Sequence, residues 1–284
     1  MPNPQVFETV KEFRAWRKQS GGSLGFVATL GALHAGHLSL IERARSLNDN
    51  VAVSIFVNPL QFGPQEDFAT YPRTLEADLE HCRSLQVDAV FLPSVDEIYP
   101  DGKDACTKVV PPPFLAEVLE GKFRPGFFTG VATMVAKLFD IVQPDITIFG
   151  EKDYQQLLIV KRLVRDLNLP LLVEGGQTVR AEDGLALSSR NSYLSEEQRK
   201  IAPMIHKILS EVVGNFTSQP DNISFAVEKG KQQFKESGAI DLQYLEARDA
   251  ESFDEVDRFD RKLVVLAAAK IGSVRLIDNI IATP

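Results

Sequence analysis

The sequence predicts an α/β protein in which a mostly parallel sheet is followed by a smaller α+β domain. Its 284 residues favour two domains, because a domain typically has about 100–200 residues. Up to about residue 180, apolar runs alternate with stretches of helical periodicity, as in consecutive βαβ units. The apolar runs are continuous, which is typical of strands covered on both faces of a sheet.

The strands and helices of the first domain follow one another in the order that βαβ units require. The predicted strands are apolar runs, most of them closed by turn residues, at 24–29, 51–57, 88–92, 145–149 and 170–174. The predicted helices lie between them, at 38–45, 71–85, 131–142 and 154–166. This alternation predicts right-handed crossovers between parallel strands.

The pattern changes after about residue 180. The stretch Ser195-Glu-Glu-Gln198 has the form of a capping box and predicts the start of a long helix. A second helix is predicted at 223–237, and strands at 241–247, 263–269 and 274–277. We place the domain boundary near residues 176–184, after the flexible pair Gly175-Gly176, so that the domains span residues 1–178 and 179–284.

The composition excludes some classes of function. With 31 Lys and Arg against 39 Asp and Glu, the net charge of −8 opposes general nucleic-acid binding, although a small anionic ligand remains compatible. No apolar run reaches the roughly 18–20 residues that cross a bilayer, and the N-terminus lacks the apolar region of a secretion signal. Cys82 and Cys106 lie outside any CxxC pair, so we expect reduced thiols in a cytoplasmic protein.

Ligands of open α/β sheets bind beyond the carboxyl ends of the strands, and three unusual loops follow predicted strands here. They are the segments 30–37, 58–62 and 150–153, and a fourth candidate segment, 184–191, opens the second domain. The sequence contains neither GxxxxGK[ST] nor a strict GxGxxG, which argues against a Walker P-loop and a dinucleotide-binding dehydrogenase.

The first loop, TLGALHAGH, combines two glycines with two histidines. Gly31 and Gly36 let the backbone approach a ligand without a Cβ in the way. Gly36 and His37 lie where a helix is predicted to begin, so unpaired N–H groups and the helix dipole favour an anion there. We therefore expect His34 and His37 to donate hydrogen bonds to phosphate oxygens.

Two other roles remain open for this histidine pair. A zinc site would need a third ligand, whereas His81 lies in a predicted helix and His206 in the other domain. The pair could also simply cap the helix without any ligand. Two histidines with two glycines at a strand–helix junction favour the phosphate role over this structural one.

Charged and hydroxyl side chains mark the third and fourth segments. Lys152, between Glu151 and Asp153, is placed to reach a phosphate, although such charged runs are usually solvated surface. Asp153 is a candidate ligand for Mg²⁺, which takes one or two protein carboxylates together with phosphates and water. The stretch Ser188-Ser189-Arg190 supplies further phosphate donors.

Taken together, these motifs resemble the pantothenate synthetases. The matching segments, in chain order, are TLGALHAGHLSL, SIFVNPLQF, YPRTLEADL, PSVDEIYP, LEGKFRPGFFTGV, VQPDITIFGEKDYQQL, DGLALSSRNSYL and RLIDN. The resemblance implies an ATP-dependent ligase that joins (R)-pantoate to β-alanine through a pantoyl adenylate, releasing AMP and pyrophosphate. It also implies a Rossmann-like domain that binds ATP and pantoate, a smaller C-terminal lid domain and a homodimer.

The resemblance also assigns residues to the ligands. Pantoate is expected at Gln61 and Gln156, with Gln61 also near β-alanine, and His37 takes the position of a catalytic proton donor. Asp78 is a second, weaker candidate for supporting the metal site. The ATP site is expected at Leu30, Gly31, Ala32, Leu33, His34, Ala35, Gly36, His37, Gly150, Glu151, Lys152, Asp153, Val179, Leu187, Ser188, Ser189 and Arg190.

The chain departs from the usual family pattern at four positions. Ala28 and Leu30 stand where Pro and Met are usual, and Leu30 keeps an apolar wall of similar volume. Phe127 and Thr129 replace a histidine and an arginine, so no direct ligand role is carried over to them. Two rival functions remain: another nucleotidyltransferase with the HxGH loop, which would lack the paired glutamines, and a nucleotide-binding regulator without turnover.

Overall fold

The computed structural model describes residues 3–63 and 66–284. It divides into two compact units, and the main change from one to the other falls between Gln177 and Thr178. Unit 1 comprises Met1–Glu151 and Gln155–Gln177, and unit 2 comprises Lys152–Tyr154 and Thr178–Pro284. Lys152 and Asp153, the last two residues of the third candidate segment, therefore belong to unit 2, as does Tyr154, where the next helix begins. In the described ranges, no helix is long and apolar enough to cross a membrane.

Unit 1 contains a six-stranded sheet in which every pairing between neighbours is parallel. The strands lie in the order β1-β4-β3-β2-β5-β6, which confirms the predicted fold class. Their bounds are β1 (Gln5–Phe7), β2 (Leu24–Thr29), β3 (Asn50–Ile55), β4 (Ala89–Phe91), β5 (Ile146–Gly150) and β6 (Leu172–Gly176).

Helices connect these strands, as the βαβ pattern predicts. The α-helices are α1 (Val10–Ser20), α2 (Ala35–Leu47), α3 (Leu75–Ser84), α4 (Val95–Ile98), α5 (Pro113–Ala116), α6 (Glu120–Phe123), α7 (Phe127–Val142) and α8 (Tyr154–Asp166). Two 3-10 helices lie in candidate loops, at Pro59–Gln61 and Glu151–Asp153. The strands β2 and β3 are almost wholly buried, because α2 packs on them through Leu40, Ile41 and Ala44.

Three helices of unit 1 begin at residues other than those predicted. The helix predicted from residue 38 begins at Ala35, because His34 caps it. The helix predicted from residue 71 begins at Leu75, since Pro72 disfavours helical backbone in the residue before it. The helix predicted from residue 131 begins at Phe127, after Gly126 in a left-handed conformation. The strand β1 and the helices α1, α4, α5 and α6 were not predicted from the sequence.

The strand order places a topological switch point between β2 and β5. Both strands pair directly, β2 leads through α2 to β3 on one side, and β5 leads through α8 to β6 on the other. Ligands of open α/β sheets bind at the carboxyl ends of strands at such a point. The two loops that begin there are the HxGH loop after Thr29 and the segment starting at Gly150.

Unit 2 contains an antiparallel sheet of three strands in the order β7-β8-β9, with three helices. The long helix predicted from residue 195 is wrong: it is two helices separated at Ala202-Pro203, because a proline in a helix interior has no N–H to donate. The bounds are α9 (Glu196–Ile201), α10 (Met204–Ser218), α11 (Ile223–Ser237), β7 (Asp241–Asp249), β8 (Leu263–Ile271) and β9 (Val274–Ala282). A 3-10 helix, Ser189–Tyr193, lies before them.

Candidate functional site

The two histidines of the HxGH loop hold each other in a reciprocal cap at the start of α2. His34 Nδ1 accepts the N–H of Gly36 at 3.2 Å, and His37 Nδ1 accepts the backbone N–H of His34 at 3.4 Å. A backbone N–H can only donate, so Nδ1 is the acceptor in both rings and the ring proton of each neutral imidazole lies on Nε2. The cap therefore fixes the ring proton of both histidines on Nε2, and the two ring centres lie 4.1 Å apart.

Glycine is required at two positions of this loop. A Cβ at Gly36 would lie 2.9 Å from Cε1 of His34, so any larger residue would displace the capping ring. Gly31 has a φ of +84° and lies where a Cβ would meet Asp78 and Ile55 at 3.2 Å. Ala32, the next residue, also has a positive φ, of 51°. Such a conformation persists only where the surroundings hold it.

Asp78 on α3 stabilises this backbone conformation of the loop through hydrogen bonds. Its Oδ2 accepts the N–H of Ala32 at 3.0 Å, and its Oδ1 accepts the N–H of Leu33 at 2.8 Å and the hydroxyl of Thr74 at 3.2 Å. The residue is 1% exposed. A buried carboxylate that already accepts three hydrogen bonds from its own chain does not fit a metal ligand, so Asp78 is better described as the anchor of the HxGH loop.

Asn58 fixes the second candidate loop. This buried side chain accepts the N–H of Leu60 at 3.2 Å and the hydroxyl of Tyr99 at 2.8 Å, and donates to the carbonyl of Gly130 at 3.3 Å. Burial raises the pKa of Tyr99, so its hydroxyl remains a donor. The 3-10 helix that carries Gln61 is thus held at its first residues by an amide that forms three hydrogen bonds.

Arg124, from the RPGFFTG segment, contacts the other end of that 3-10 helix. It donates to the carbonyl of Gln61 at 3.0 Å and binds both carboxylate oxygens of Glu66 at 2.7 Å. Its guanidinium carbon lies 3.5 Å from the ring centre of Phe127. Phe127, one of the departures from the family pattern, therefore supports the arginine through a cation–π contact.

The two adjacent glutamines at the start of α8 have different surroundings. Gln155 is buried, donates to the carbonyls of Leu115 and Val118 at 2.7 and 2.8 Å, and accepts the N–H of Glu120 at 3.2 Å. Gln156, the predicted pantoate residue, is only half-buried. Gln155 is thus committed to holding the segment between α5 and α6, which leaves Gln156 as the candidate for a ligand.

In unit 2, Lys152 and Asp153 lie next to each other. The Lys152 carbonyl accepts the side-chain N–H of Asn279 at 2.8 Å, and Lys152 Nζ lies 3.9 Å from Asp153 Oδ2. The Lys152 side chain is 18% exposed and that of Asp153 is 49% exposed. Among the described residues, no group of three His, Cys, Asp or Glu side chains could hold a metal ion.

A hairpin brings two predicted ATP residues of unit 2 together. Leu187 donates its N–H to the carbonyl of Val179 at 3.0 Å, and Arg180 pairs with Ala186 as an antiparallel bridge. Directly after it, Ser188 Oγ accepts the N–H of Arg190 at 3.3 Å and caps the 3-10 helix Ser189–Tyr193.

A buried ion pair holds this hairpin to β9. Arg180 donates to both carboxylate oxygens of Asp278, at 2.7 and 2.9 Å, and to the carbonyls of Gly184 and Asn279 at 3.1 and 3.0 Å. Asp278 is 5% exposed. The RLIDN motif alone indicates no role for Asp278 or Asn279, because their partners lie 98 and 127 residues away in the chain.

His206 on α10 lies beside this ion pair and predicts an acid sensitivity. Its Nδ1 is 3.8 Å from Asp278 Oδ2. Burial and the Arg180 charge lower the pKa of His206, and Asp278 opposes them only in part. Because the unfolded state binds this proton more readily, the free energy of unfolding falls as the pH drops through the ordinary histidine value of about 6.5.

We therefore expect His206→Gln to remove part of this loss of stability at low pH. The free energy of unfolding in urea should differ less between pH 5 and pH 7.5 in the variant than in the parent protein. His81→Gln, on α3, is the matched control. An unchanged pH dependence in the His206 variant would contradict the assignment.

Comparisons with known proteins agree with this architecture. A family model described as pantoate–β-alanine ligase matches residues 5–281. A pantothenate synthetase of Hydrogenovibrio crunogenus is 48% identical over 276 residues, which are 97% of this chain and 97% of the relative. A pantothenate synthetase of Pseudomonas aeruginosa is 48% identical over 276 residues, covering 96% of this chain and 97% of the relative.

Solved structures give the same result. The crystal structure of pantothenate synthetase from Thermus thermophilus has a TM-score of 0.92 and 44% sequence identity, covering 99% of this chain and 100% of that chain. The crystal structure of pantoate–β-alanine ligase from Francisella tularensis, complexed with beta-gamma ATP and β-alanine, has a TM-score of 0.80 and 38% identity, covering 98% and 97% of the two chains.

Proposed function

The chain belongs to the pantoate–β-alanine ligase family and makes pantothenate from pantoate and β-alanine with ATP, and on this premise we propose that the reaction passes through a pantoyl adenylate. The pantoate carboxylate attacks the α-phosphorus of ATP, and pyrophosphate leaves. The amine of β-alanine then attacks the acyl carbon, loses a proton and expels AMP. Both nucleophiles come from substrates, so the protein acts by positioning and by stabilising charge.

The reciprocal histidine cap is the observation that carries this proposal. It directs both Nδ1 atoms to the backbone N–H groups of the helix start and thereby fixes the ring protons of His34 and His37 on Nε2. We assign these N–H groups to hydrogen bonds with the phosphates of ATP. His37 stabilises the departing pyrophosphate as a hydrogen-bond donor and not as a proton donor, because a neutral imidazole whose Nδ1 accepts a backbone N–H keeps its Nε2 proton. The loop backbone from Leu30 to Ala35, with Gly150 and Glu151, contributes the remaining contacts of unit 1 to the nucleotide.

We also assign cationic and hydroxyl donors of unit 2 to the phosphates of ATP. Lys152 and Arg190 offset negative charge, Ser188 and Ser189 donate hydrogen bonds, and Val179 and Leu187 contact the nucleotide through the hairpin. No cysteine is needed as a nucleophile: burial, with Asp78 nearby, raises the pKa of the Cys82 thiol to about 12, so it stays protonated.

Asp153 fits a magnesium ligand better than Asp78 does. Its carboxylate is about half-exposed, at 49%, which suits a cation held by one protein carboxylate together with phosphates and water. The ion would supply charge neutralisation for the leaving pyrophosphate. Asp78, with its three intramolecular hydrogen bonds, is not used for the metal.

The glutamines Gln61 and Gln156 orient pantoate. Neutral amides can hydrogen-bond its carboxylate and hydroxyls without drawing charge from the attacking oxygen, as an arginine would. Arg124 forms an ion pair with Glu66, so its positive charge is offset there. It contacts Gln61 through the main-chain carbonyl, so the glutamine side chain is left to pantoate without a cation paired to it.

We expect Gln156→Ala to raise the KM for pantoate by about tenfold, the effect of losing one or two substrate hydrogen bonds, with the KM for ATP nearly unchanged. Steady-state kinetics with each substrate varied in turn provide the measurement. Gln232→Ala, an exposed glutamine that bonds Glu236, is the control. Equal increases in both KM values would argue against the assignment.

A single assay tests the proposed route against its rivals. Incubation with ATP, Mg²⁺, pantoate and β-alanine should yield AMP, and pantoate should support ATP–pyrophosphate exchange without β-alanine. A nucleotidyltransferase of the dinucleotide- or CDP-forming type would release no AMP, and a nucleotide-binding regulator would bind ATP without any turnover.

Three further assignments rest mainly on the family. We propose that residues 1–178 bind ATP and pantoate, that residues 179–284 act as a lid, and that two copies form a homodimer. The two free cysteines suit the reducing cytoplasm, where we place the enzyme. Light scattering in solution would test the homodimer.

A further inference from the structure

We propose that Asp278 and Asn279, consecutive residues of β9, are positioning residues for adenylation. They hold the two phosphate-binding parts of unit 2, the Lys152 segment and the hairpin that leads into Ser188–Arg190, on a single strand. The proposal rests on the phosphate-binding roles given above to these parts. Neither residue needs to touch a substrate itself.

The first contact fixes the main chain of Lys152. Asn279 is buried, and its side-chain amide donates to the Lys152 carbonyl at 2.8 Å. Two residues later, the hydroxyl of Tyr154 donates to the carbonyl of Ala250 at 2.8 Å. The segment Lys152–Tyr154 is thus bound to unit 2 at both ends. A lysine has a long flexible stem, so the position of its main chain determines where its ammonium group can reach.

The second contact fixes the hairpin. Asp278 accepts two hydrogen bonds from Arg180, and Arg180 also donates to the carbonyl of Asn279 at 3.0 Å and to that of Gly184 at 3.1 Å. Arg180 follows Val179 directly, and the hairpin pairs Val179 with Leu187. A bidentate arginine–carboxylate pair fixes orientation as well as distance. The residues Ser188–Arg190 therefore follow directly after a hairpin whose position and orientation relative to β9 are fixed.

The strand itself does not need these two side chains. β9 pairs with β8 along its whole length, with Asp278 opposite Ala267 and Asn279 opposite Leu266. Consecutive side chains of a strand lie on opposite faces, so β9 can bind one segment through each of two neighbouring residues. Two buried polar residues in succession at the edge of a sheet are costly unless paired, and the side chains of both are hydrogen-bonded to these segments.

The test is a double-mutant cycle between Asn279 and Lys152, read by pantoate-dependent ATP–pyrophosphate exchange and by thermal unfolding. Asn279→Ala should lower kcat/KM for ATP by about 3–10-fold, the loss of one hydrogen bond, with the KM for pantoate unchanged. In a Lys152→Ala background, assayed at raised enzyme concentration, Asn279→Ala should have no further effect on exchange, because the ammonium that it positions is gone. Its effect on Tm should be the same in both backgrounds, since the Lys152 carbonyl remains.

Matched variants separate positioning from stability. Gln243→Ala removes the 2.6 Å hydrogen bond that Gln243 accepts from Arg275, a residue of β9 like Asn279. This variant should lower Tm without changing exchange. Arg180→Lys keeps the charge but loses the bidentate pair, and should lower exchange in both backgrounds because it acts through the hairpin. Asn279→Asp, which keeps the size but cannot donate, replaces Asn279→Ala if that variant does not fold.

Each failure has a distinct signature. Normal exchange in Asn279→Ala, or an equal loss in both backgrounds, would overturn the role of Asn279, and a change in Tm alone for Arg180→Lys would overturn that of Asp278. Normal exchange in Lys152→Ala would instead show that the phosphate role proposed for Lys152 is wrong.

Discussion

Replacing His37 by Gln is expected to slow pantoyl-adenylate formation by about 10²–10³-fold, the usual effect of losing one preorganised donor to developing charge. Glutamine is a common residue at this position of a capping box, so its side-chain oxygen can still accept the N–H of His34. The helix start is therefore preserved while the imidazole Nε2–H is lost. Pantoate-dependent ATP–pyrophosphate exchange measures the rate, and thermal unfolding should give an unchanged Tm.

His37→Ala and a control cap complete this experiment. His37→Ala should show the same loss of exchange and, in addition, a decrease of about 1 kcal/mol in the free energy of unfolding from the lost cap. Gln198→Ala removes the equivalent residue of the capping box at Ser195 and should affect stability alone. Near-normal exchange in His37→Gln would mean that the histidine serves the helix and not the phosphate.

Replacing Asp78 by Asn is expected to lower the free energy of unfolding by about 2–4 kcal/mol. Hydrogen bonds to an ionised acceptor are stronger than neutral ones, and a buried donor without an acceptor is costly. The asparagine oxygen can accept the N–H of Ala32 or of Leu33, but its NH2 group then faces the other donor. Because the loop loses its hold, adenylation should also fall. Urea unfolding and exchange kinetics measure the two effects.

The same variant distinguishes a loop anchor from a metal ligand. If Asp78 bound Mg²⁺, Asp78→Asn would raise the Mg²⁺ concentration needed for half-maximal exchange, and removing a buried charge would tend to stabilise the protein. The anchor role predicts the reverse: an unchanged Mg²⁺ requirement with reduced stability. Glu76→Gln, at an exposed acidic position on the same helix, is the control.

Periodicity predicted most of the fold, because continuous apolar strands and amphipathic helices are local patterns. It missed β1, which has only three residues, and α1, whose Thr9–Glu12 start carries a capping signal that was not used. The apolar periodicity also predicted one continuous helix where the chain has two, separated at Pro203. In β1 too few residues contribute to a pattern, whereas the break before α10 depends on one proline that leaves the apolar periodicity unchanged.

The candidate site was predictable to the extent that its residues lie together in the chain. The HxGH loop and the Ser188–Arg190 stretch could be found from their residue types. The role of Asp78 could not, since its partners lie 45 and 46 residues away. Nor could the separate tasks of Gln155 and Gln156, because they follow from the burial and the tertiary hydrogen bonds of Gln155. Asn58 and Arg124 were also missed, because their importance comes from tertiary hydrogen bonds.

The reciprocal histidine cap also bears on attempts to engineer this chain for heat resistance. Consensus rules for helix starts favour Ser at the N-cap and Glu three residues later, and so would replace His34 and His37. Such a redesign would suit the helix and would remove both Nε2–H groups. A stability-guided library should therefore hold these two positions constant and seek its gains at caps far from the HxGH loop, where stability and turnover are not coupled.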